Sequence, residues 1–562
     1  ASRALDQLAR RFDLDWGGFG SAPKFPSPSN LDLLLDFAEE REEADKMLSA
    51  TLDGMAMGGL FDQLAGGFHR YATDRQWRVP HFEKMLYDNG LLLEVYARAA
   101  AAQLDPFYGR TARATADFLA REMTSPQGAF WSAIDAETDG REGAYYAWTR
   151  QELETVLGRE DYAFVAPLLG FDGPPFFEGE HYVLHLPERL EAAAAKRKME
   201  LATLLAEIEP LRARLLAARS ERKRPATDDK ILTDWNGTAI AGLATAGRLL
   251  AVPEYVERAA RAADFLLTNL RPAGGSLHHA WRAGTAKVPA FLADYAYLVR
   301  GLLALHRAEQ ADGESRWLTA ARELVVEQDE RLSDPTGVGG WFAAAASSDV
   351  LFRSKEVFDG ALPAANAVAV ENLLDLFEFT GEDGFREAAR RALSAFAAPV
   401  HQHPDGSKSM ALAARRFWRE AAAGEEPVLD DTPTLEALAA QAEQVVSPQF
   451  EISEERVDGW RAFRLVLDIA RGWHLNANPA SLEQLVPTRV DAQGARLERV
   501  IYPSGTEVQL GFAENPIVVY QGRIEITGEV ALDAPEARLL LTYQPCDETR
   551  CLPPITRVAT LG

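Results

Sequence analysis

The stretch DDKILTDWNGTAIAGLATAGRLL, residues 228–250, decides how the long first part of the chain is read. A polar group, Asp234-Trp235-Asn236, stands directly before a proline-free apolar run, the pattern of a helix with Asp and Asn in its first turn. The same arrangement recurs at Ser29-Asn30-Leu31, Tyr87-Asp88-Asn89, Asp294-Tyr295 and Asn366-Ala367-Val368. Asn236, Tyr295 and Asn366 are 59 and 71 residues apart, room for a helix, a turn, a returning helix and a loop. Units of that size predict helical hairpins arranged in a ring. Such an (α/α) toroid, over residues 1 to about 440, gathers the polar residues around one central funnel. An ordinary bundle capped by Asn and Asp fits the same spacing.

Outward from this region the pattern changes twice. Residues 189–226 read as one long, heavily charged helix with Leu201, Leu204, Leu205, Ile208, Leu211 and Leu215 on a packing stripe, expected as an arm on the outside of the barrel. From about residue 446, FEISEE, AFRLVLDIA, VIYPSG, IVVYQGRIEITGEVAL and RLLLTYQP alternate apolar and polar residues between short turns. That predicts a small β-sandwich over 446–562. AAAGEEPVLDDTPTLEAL, residues 421–438, reads as the linker.

Composition excludes several classes. The 562 residues include 59 Lys plus Arg against 84 Asp plus Glu, a net charge of −25 that argues against nucleic-acid or anionic-membrane surfaces. No apolar run approaches the roughly 18–20 residues that span a bilayer. Two cysteines make neither a disulfide framework nor a zinc ribbon. No GxGxxG, P-loop or GxSxG sequence is present, and HFE at 81–83 lacks the HExxH zinc spacing. No cofactor and no metal are expected. His278-His279 and His401/His403 read as surface histidines without acidic neighbours at ligand spacing. Residue 1 is Ala, no targeting segment is seen, and Leu5, Leu8 and Phe12 already keep a helical period, so a segment upstream is expected to have been removed.

The densest chemistry lies in GGFHRYATDRQWRVPHFEKMLYDNG, residues 66–90. His81 and Glu83 can shuttle protons, and Asp88 can accept one or stabilise positive charge. His69, Arg70 and Trp77 add directional hydrogen bonds and an apolar face suited to a sugar ring. Further groups are Trp235 and Asn236; Asp294, Tyr295 and Tyr297; and Lys355, Glu356, Asp359 and Asn366. Converged on one funnel, His81, Glu83, Asp88, Asp294, Glu356 and Asp359 are the catalytic candidates. His69, Arg70, Trp77, Asn89, Trp235, Asn236, Tyr295, Tyr297, Lys355 and Asn366 are the substrate-binding ones. At least one funnel carboxylate is expected to have a raised pKa. Cys546 and Cys551, in TYQPCDETRCLPP, can close a small disulfide loop that is either a clip or an exchangeable pair. Asp547 and Glu548 beside Cys546, and Arg550 beside Cys551, favour Cys551 as the more acidic thiol.

GGFGSAPKFPSPSNL (17–31), the 66–93 block, DDKILTDWNGTAIAGLA, KVPAFLADYAYLVRGLL (287–303) and KEVFDGALPAANAVAVENLL (355–374) resemble the thioredoxin-domain-containing YyaL / spermatogenesis-associated family, in order from about residue 16 to about 440. The resemblance implies a six-hairpin (α/α)6 toroid of the kind found in N-acylglucosamine 2-epimerases and several glycoside hydrolases. That family carries an upstream thioredoxin-like domain, which this sequence lacks. The C-terminal segment is similar to the N-terminal domain of the thiol:disulfide interchange protein DsbD, in Tyr543-Gln544-Pro545-Cys546 and Cys551-Leu552-Pro553-Pro554, with one residue fewer between the cysteines. This implies an immunoglobulin-like sandwich whose cysteine pair exchanges disulfides with partners.

The expected function is a sugar-active barrel, epimerase/isomerase or glycoside hydrolase, tied to a thiol–disulfide module. The alternative is a redox relay whose barrel is a non-catalytic scaffold. A saccharide ligand and a thioredoxin-like partner are the partners implied. The known epimerases rely on histidines of late helices, which the late motifs here lack. A disulfide favours a periplasmic or exported location over the cytoplasm.

Overall fold

Six helices carry the polar-before-apolar pattern, and each packs on the next: Pro28–Phe37, Leu86–Gln103, Thr233–Leu249, Leu292–Glu309, Ala365–Thr380 and Lys408–Ala422. The last also packs on the first, so the ring closes. Helices Glu42–Met57, Pro106–Phe118, Pro253–Asn269, Arg316–Leu332 and Asp383–Ala395 return behind five of them as an outer layer. This is the (α/α)6 toroid. The computed structural model describes the chain apart from residues 273–274, 310–313, 347–352, 423–443, 482–485, 509–515, 533–536, 548–551, 553 and 562. The chain divides into units Ala1–Pro427 and Val428–Gly562. The expected linker, beyond its first two residues, lies outside the described residues.

Burial follows the sequence pattern. Leu92, Leu93, Ile240, Leu243, Leu298, Leu302 and Leu373 of the inner helices are all buried in one core. Small residues let the helices meet backbone to backbone. Gly242 sits against the Gly90 carbonyl, and Gly237 against the backbone of Tyr297. Ion pairs run round the axis: Arg98 to Asp32 at 2.6 Å, Arg300 to Glu94 at 3.0 Å, Arg307 to Asp375 at 3.0 Å and Arg416 to Glu371 at 2.9 Å. Arg415 to Asp36, at 2.6 Å, joins the last inner helix to the first.

Two expectations need correction. The 189–226 segment is two helices, Leu190–Lys196 and Leu201–Ser220, broken where Lys198 takes φ +57°. Its stripe is Leu204, Ile208, Leu211, Leu215 and Arg219, and the buried Arg219 fixes it to the barrel wall. The first unit also contains short strands. Ile231–Leu232 pairs with His278–Arg282, which pairs with Thr285–Pro289. Lys84–Met85 pairs with Ala133–Ile134. Two- to five-residue ribbons are too short for a visible two-residue period. The Ala283-Gly284 turn, with φ +50° and +82°, was the available sign.

Loops with a Gly-Gly-aromatic step precede three inner helices: Gly17-Gly18-Phe19, Gly66-Gly67-Phe68 and Gly339-Gly340-Trp341, every glycine at positive φ. A lysine staples each one. Lys24 Nζ donates to Asp13 at 2.6 Å and to the Gly17 carbonyl at 2.7 Å. Lys84 donates to Asp62 at 2.9 Å and the Gly66 carbonyl at 3.0 Å. Lys355 reaches Asp334 at 2.5 Å and the Gly339 carbonyl at 2.7 Å.

In the second unit, Arg461–Ile469 lies between Val446–Ile452 and Arg523–Leu532 in one antiparallel sheet, with Ala495–Ile501 at the far edge. A second sheet orders Thr506–Val508, Ile517–Tyr520, His474–Asn476 and Pro545–Cys546, and a third Arg489–Gln493, Arg538–Tyr543 and Ile555–Thr560. Phe463, Leu465, Leu475, Ile526, Leu539 and Leu541 from all three share one core, as alternating strands of a sandwich require.

The helix contacts give a direct test. Gly242→Ala would place a Cβ inside the Gly90 carbonyl, a backbone group that cannot swing away. Overpacking of this kind costs about 1–3 kcal/mol. A lowered melting temperature by circular dichroism is expected, and an unchanged one would contradict the close crossing.

Candidate functional site

The inner helices all begin at one mouth of the toroid, and two groups of titratable side chains adjoin there. In the first, His81 Nδ1 lies 2.7 Å from Glu142 Oε1 and its Nε2 3.6 Å from Glu83 Oε2. Arg70 Nη1 donates to Glu83 Oε2 at 3.0 Å, and Tyr71 stacks on the His81 ring with centroids 5.0 Å apart. Asp88, in the first turn of Leu86–Gln103, is buried and its Oδ2 has no hydrogen-bond partner among the described residues. Burial drives its pKa well above the usual carboxylate range; Arg70 opposes the rise and Glu83 adds to it. Burial also lifts the Tyr87 phenol to about 12.

The second group is Asp234, His279 and Asp294. Asp294 is fully buried and accepts from the backbone N–H groups of Asp234, at 3.1 Å, and Phe291, at 2.8 Å. His279 Nδ1 approaches its two oxygens at 2.9 and 3.1 Å. Asp234 is pushed up to about 7 by burial and by the negative charge of Asp294, with His279 pulling the other way. Burial works against a charged His279, but the bond to Asp294 outweighs it and raises the imidazole pKa. Tyr87 packs edge-on against Trp235, centroids 4.9 Å apart, and so joins the two groups. Phe25, Phe291 and Phe358 stand exposed just before inner helices.

Ligand atoms of Asp234, His279 and Asp294 lie within 4.8 Å of one another, near enough to share a cation. As arranged, His279 Nδ1 and both Asp294 oxygens are engaged in hydrogen bonds, which suits proton transfer better than ligation. The reading of His278-His279 as isolated surface histidines is overturned for His279. Its acidic partner is 15 residues on and meets it only because the ribbon folds back on the helix start. Asp234 was likewise missed as a titrating group, although Thr-Asp-Trp-Asn carried the signal. Glu142, from the short strand Arg141–Glu142, left none.

Several expected site residues are framework. Asn89 Oδ1 accepts from Phe68 N–H at 2.7 Å while its Nδ2 donates to the Phe68 and Met85 carbonyls. Asn236 clamps Phe130 in the same way, and Asn366 clamps Trp341. All three are buried with oxygen and amide nitrogen engaged. Trp77 is fully buried and donates to the Trp16 carbonyl at 3.0 Å. His69 is buried against the Phe82 carbonyl at 2.9 Å. Tyr295 donates to Glu327 of an outer helix at 2.7 Å, and Tyr297 to the Pro363 carbonyl at 2.7 Å. Lys355 is a loop staple. Asp359 caps two inner helices, accepting from Ala364 and Ser409 N–H at 3.0 Å each, and Glu356 is exposed. Cys546 is disulfide-bonded, and Cys551 lies outside the described residues.

Spermatogenesis-associated protein 20 is a homologue of this chain. The mouse protein is 34% identical over 444 residues, 72% of this chain and 56% of its own length. The chain thus spans about half the length of the curated relatives it matches. Residues 441–562 match the family model described as thiol:disulfide interchange protein DsbD, N-terminal. Among solved structures, the cellobiose 2-epimerase of Spirochaeta thermophila is 14% identical with a TM-score of 0.46, covering 74% of this chain and 94% of that one. The reduced DsbD N-terminal domain of Neisseria meningitidis is 17% identical with a TM-score of 0.17, covering 21% of this chain and 86% of that one.

The acid cluster predicts an unusual pH dependence. Asp234 is more basic folded than unfolded, so its contribution to stability is greatest below about pH 4 and is lost as pH rises through about 7. The raised His279 acts with the same sign, stabilising below its unfolded pKa and losing that as pH passes its folded one. Asp234→Asn should therefore gain stability over the parent at pH 8 and not at pH 4 in urea unfolding. A pH-independent difference would contradict the cluster.

Proposed function

We propose that the mouth of the toroid is a proton-transfer site for a saccharide, in an epimerase, isomerase or glycoside hydrolase reaction. The observation that carries this is the Asp234–His279–Asp294 constellation. It supplies a carboxyl group titrating near neutral pH beside an imidazole fixed by a buried carboxylate. Asp234 is the group that takes or gives the proton. Asp294 is the positioning residue that fixes the His279 tautomer and favours its charged form. Asp88, whose pKa burial raises, is a hydrogen-bond or proton donor from the neighbouring helix. His81, Glu83 and Arg70 form the polar wall, and Trp235, Tyr87 and the exposed Phe291 give apolar faces on which sugar rings pack. The second unit, from its disulfide and its family-model match, is read as a thiol–disulfide exchange module. In the alternative, the barrel only binds and the exchange module carries the activity. The saturation of the funnel amides favours that alternative at Asn89, Asn236 and Asn366 alone.

The test is a thermal-shift screen with mono- and disaccharides, followed by proton NMR of the stabilising sugars incubated in D2O. Deuterium incorporation or glycosidic cleavage by the parent protein is expected, with a pH midpoint near 7 set by Asp234. Asp234→Asn should lose at least about 100-fold in rate, the range of general acid–base catalysis. Sugar binding without turnover would leave the scaffold reading standing, and no sugar binding would end the saccharide reading.

A further inference from the structure

Strands His474–Asn476 and Pro545–Cys546 pair antiparallel with His474 directly opposite Cys546. Opposed residues leave the same face of a sheet, with Cβ atoms about 4.5–5.5 Å apart. Both side chains are buried, His474 to 3% exposure and Cys546 to 1%. Cys546 is disulfide-bonded, and the sequence holds one other cysteine. Nε2 of His474 is buried with no hydrogen-bond partner in the described structure. An orphaned ring nitrogen in an apolar setting is costly, so its retention beside a sulfur calls for a reason. Burial lowers the pKa of the ring, and Asp547, next in the chain after Cys546, acts against that by favouring the protonated form.

We propose that His474 is the proton acceptor for Cys546 when the disulfide exchanges with a dithiol, so that the reduced unit carries a Cys546 thiolate paired with a His474 imidazolium. The proposal rests on reading the second unit as an exchange module. One thiolate of a partner dithiol attacks the other sulfur of the disulfide. The S–S bond breaks, a mixed disulfide forms there, and Cys546 leaves with the electron pair. The partner's second thiol then attacks the mixed disulfide. The partner is oxidised by two electrons to its own disulfide, and the two cysteines of this chain are reduced. Of the two protons released, one goes to the other cysteine and one rests on His474 Nε2 instead of Cys546 Sγ. In the oxidised state no thiolate or thiol is present to engage Nε2, which accounts for its missing partner. Sequence neighbours alone point to Cys551 as the more acidic thiol, whereas the imidazole across the strand makes it Cys546.

The experiment uses the full chain with dithiothreitol as the dithiol. After reduction, iodoacetamide at pH 6.5 should alkylate Cys546 about tenfold faster in the parent than in His474→Gln, resolved by peptide mass spectrometry. The equilibrium constant for reduction should fall about tenfold in the variant, or about 30 mV for this two-electron couple. Nitrogen-15 NMR of the parent needs no variant: the His474 ring should be neutral at pH 7 when oxidised and protonated when reduced. A reducible disulfide with a ring that stays neutral, or with equal alkylation in parent and variant, overturns the role of His474. A disulfide that excess dithiothreitol leaves intact in the folded parent overturns the exchange reading, and His474's role with it.

Discussion

A lysine ammonium held between an aspartate and a glycine carbonyl is the contact on which the barrel mouth depends. It occurs three times, at Lys24, Lys84 and Lys355, each time at a Gly-Gly-aromatic loop that leads into an inner helix. For Lys24 and Lys84 both charges are essentially out of water. Burial opposes each charged form; at Asp62, Lys84 and the bidentate Arg219 together keep the carboxyl well below its usual range. Such pairs add little net stability over an apolar core, but losing one partner strands a charge and costs about 3–5 kcal/mol. Their effect is therefore to allow one loop conformation. The lysine reads the carbonyl of a glycine at positive φ, a shape that a misplaced loop would not offer.

That rigid frame explains which polar groups remain for chemistry. The Asn clamps tie the same loops to the helix starts, Asn89 to Phe68 and Asn366 to Trp341, and spend the amides in doing so. Helix N-terminal N–H groups are met by Asp359 and Asp294. After this accounting the mouth retains Asp88 with an unpaired oxygen, Asp234 with a raised pKa, and His279 anchored through one ring nitrogen. Rigid surroundings with a few under-compensated titratable groups are where functional sites are found. The same surroundings prevent Asp88 and Asp234 from relaxing toward water, which keeps them perturbed.

The ring was legible because it is local: each helix announces itself by a polar pair and an apolar run, and the spacing of those pairs is the length of a hairpin. Neighbouring helix starts do touch, Tyr87 against Trp235 and Asp234 N–H on Asp294. Role was not legible. Asn and Asp look alike in a first turn whether they face a ligand or a backbone carbonyl, and only the partner loop, more than 100 residues away for Asn236 and Phe130, decides. His279 was hidden for the same reason. Lys355 looked like a binding residue because the Asp334 that consumes it lies 21 positions earlier. In the second unit the strands were clear from alternation, while His474 gained meaning from register alone.

The axis of the barrel follows a different rule from its mouth. A cavity of about 630 Å³ lies there, bordered by Asp32, Glu94, Arg300, Arg307, Glu371 and Arg416 among others. The ion pairs step from the first inner helix to the second, from the second to the fourth, then to the fifth, the sixth and back to the first. Among the described ion pairs the third, Thr233–Leu249, is passed over: it borders the cavity with Ala241, Thr245 and Arg248 and is gripped through Gly237 and Gly242. Close backbone packing therefore fixes the helices that carry Asp88, Asp234 and Asp294, while charge pairing closes the remainder of the ring. Glycine crossings tolerate almost no displacement, whereas guanidinium–carboxylate contacts around a polar cavity tolerate some. The three helices that carry Asp88, Asp234 and Asp294 are thus related to one another by close backbone packing, which holds those carboxyl groups in fixed relative positions.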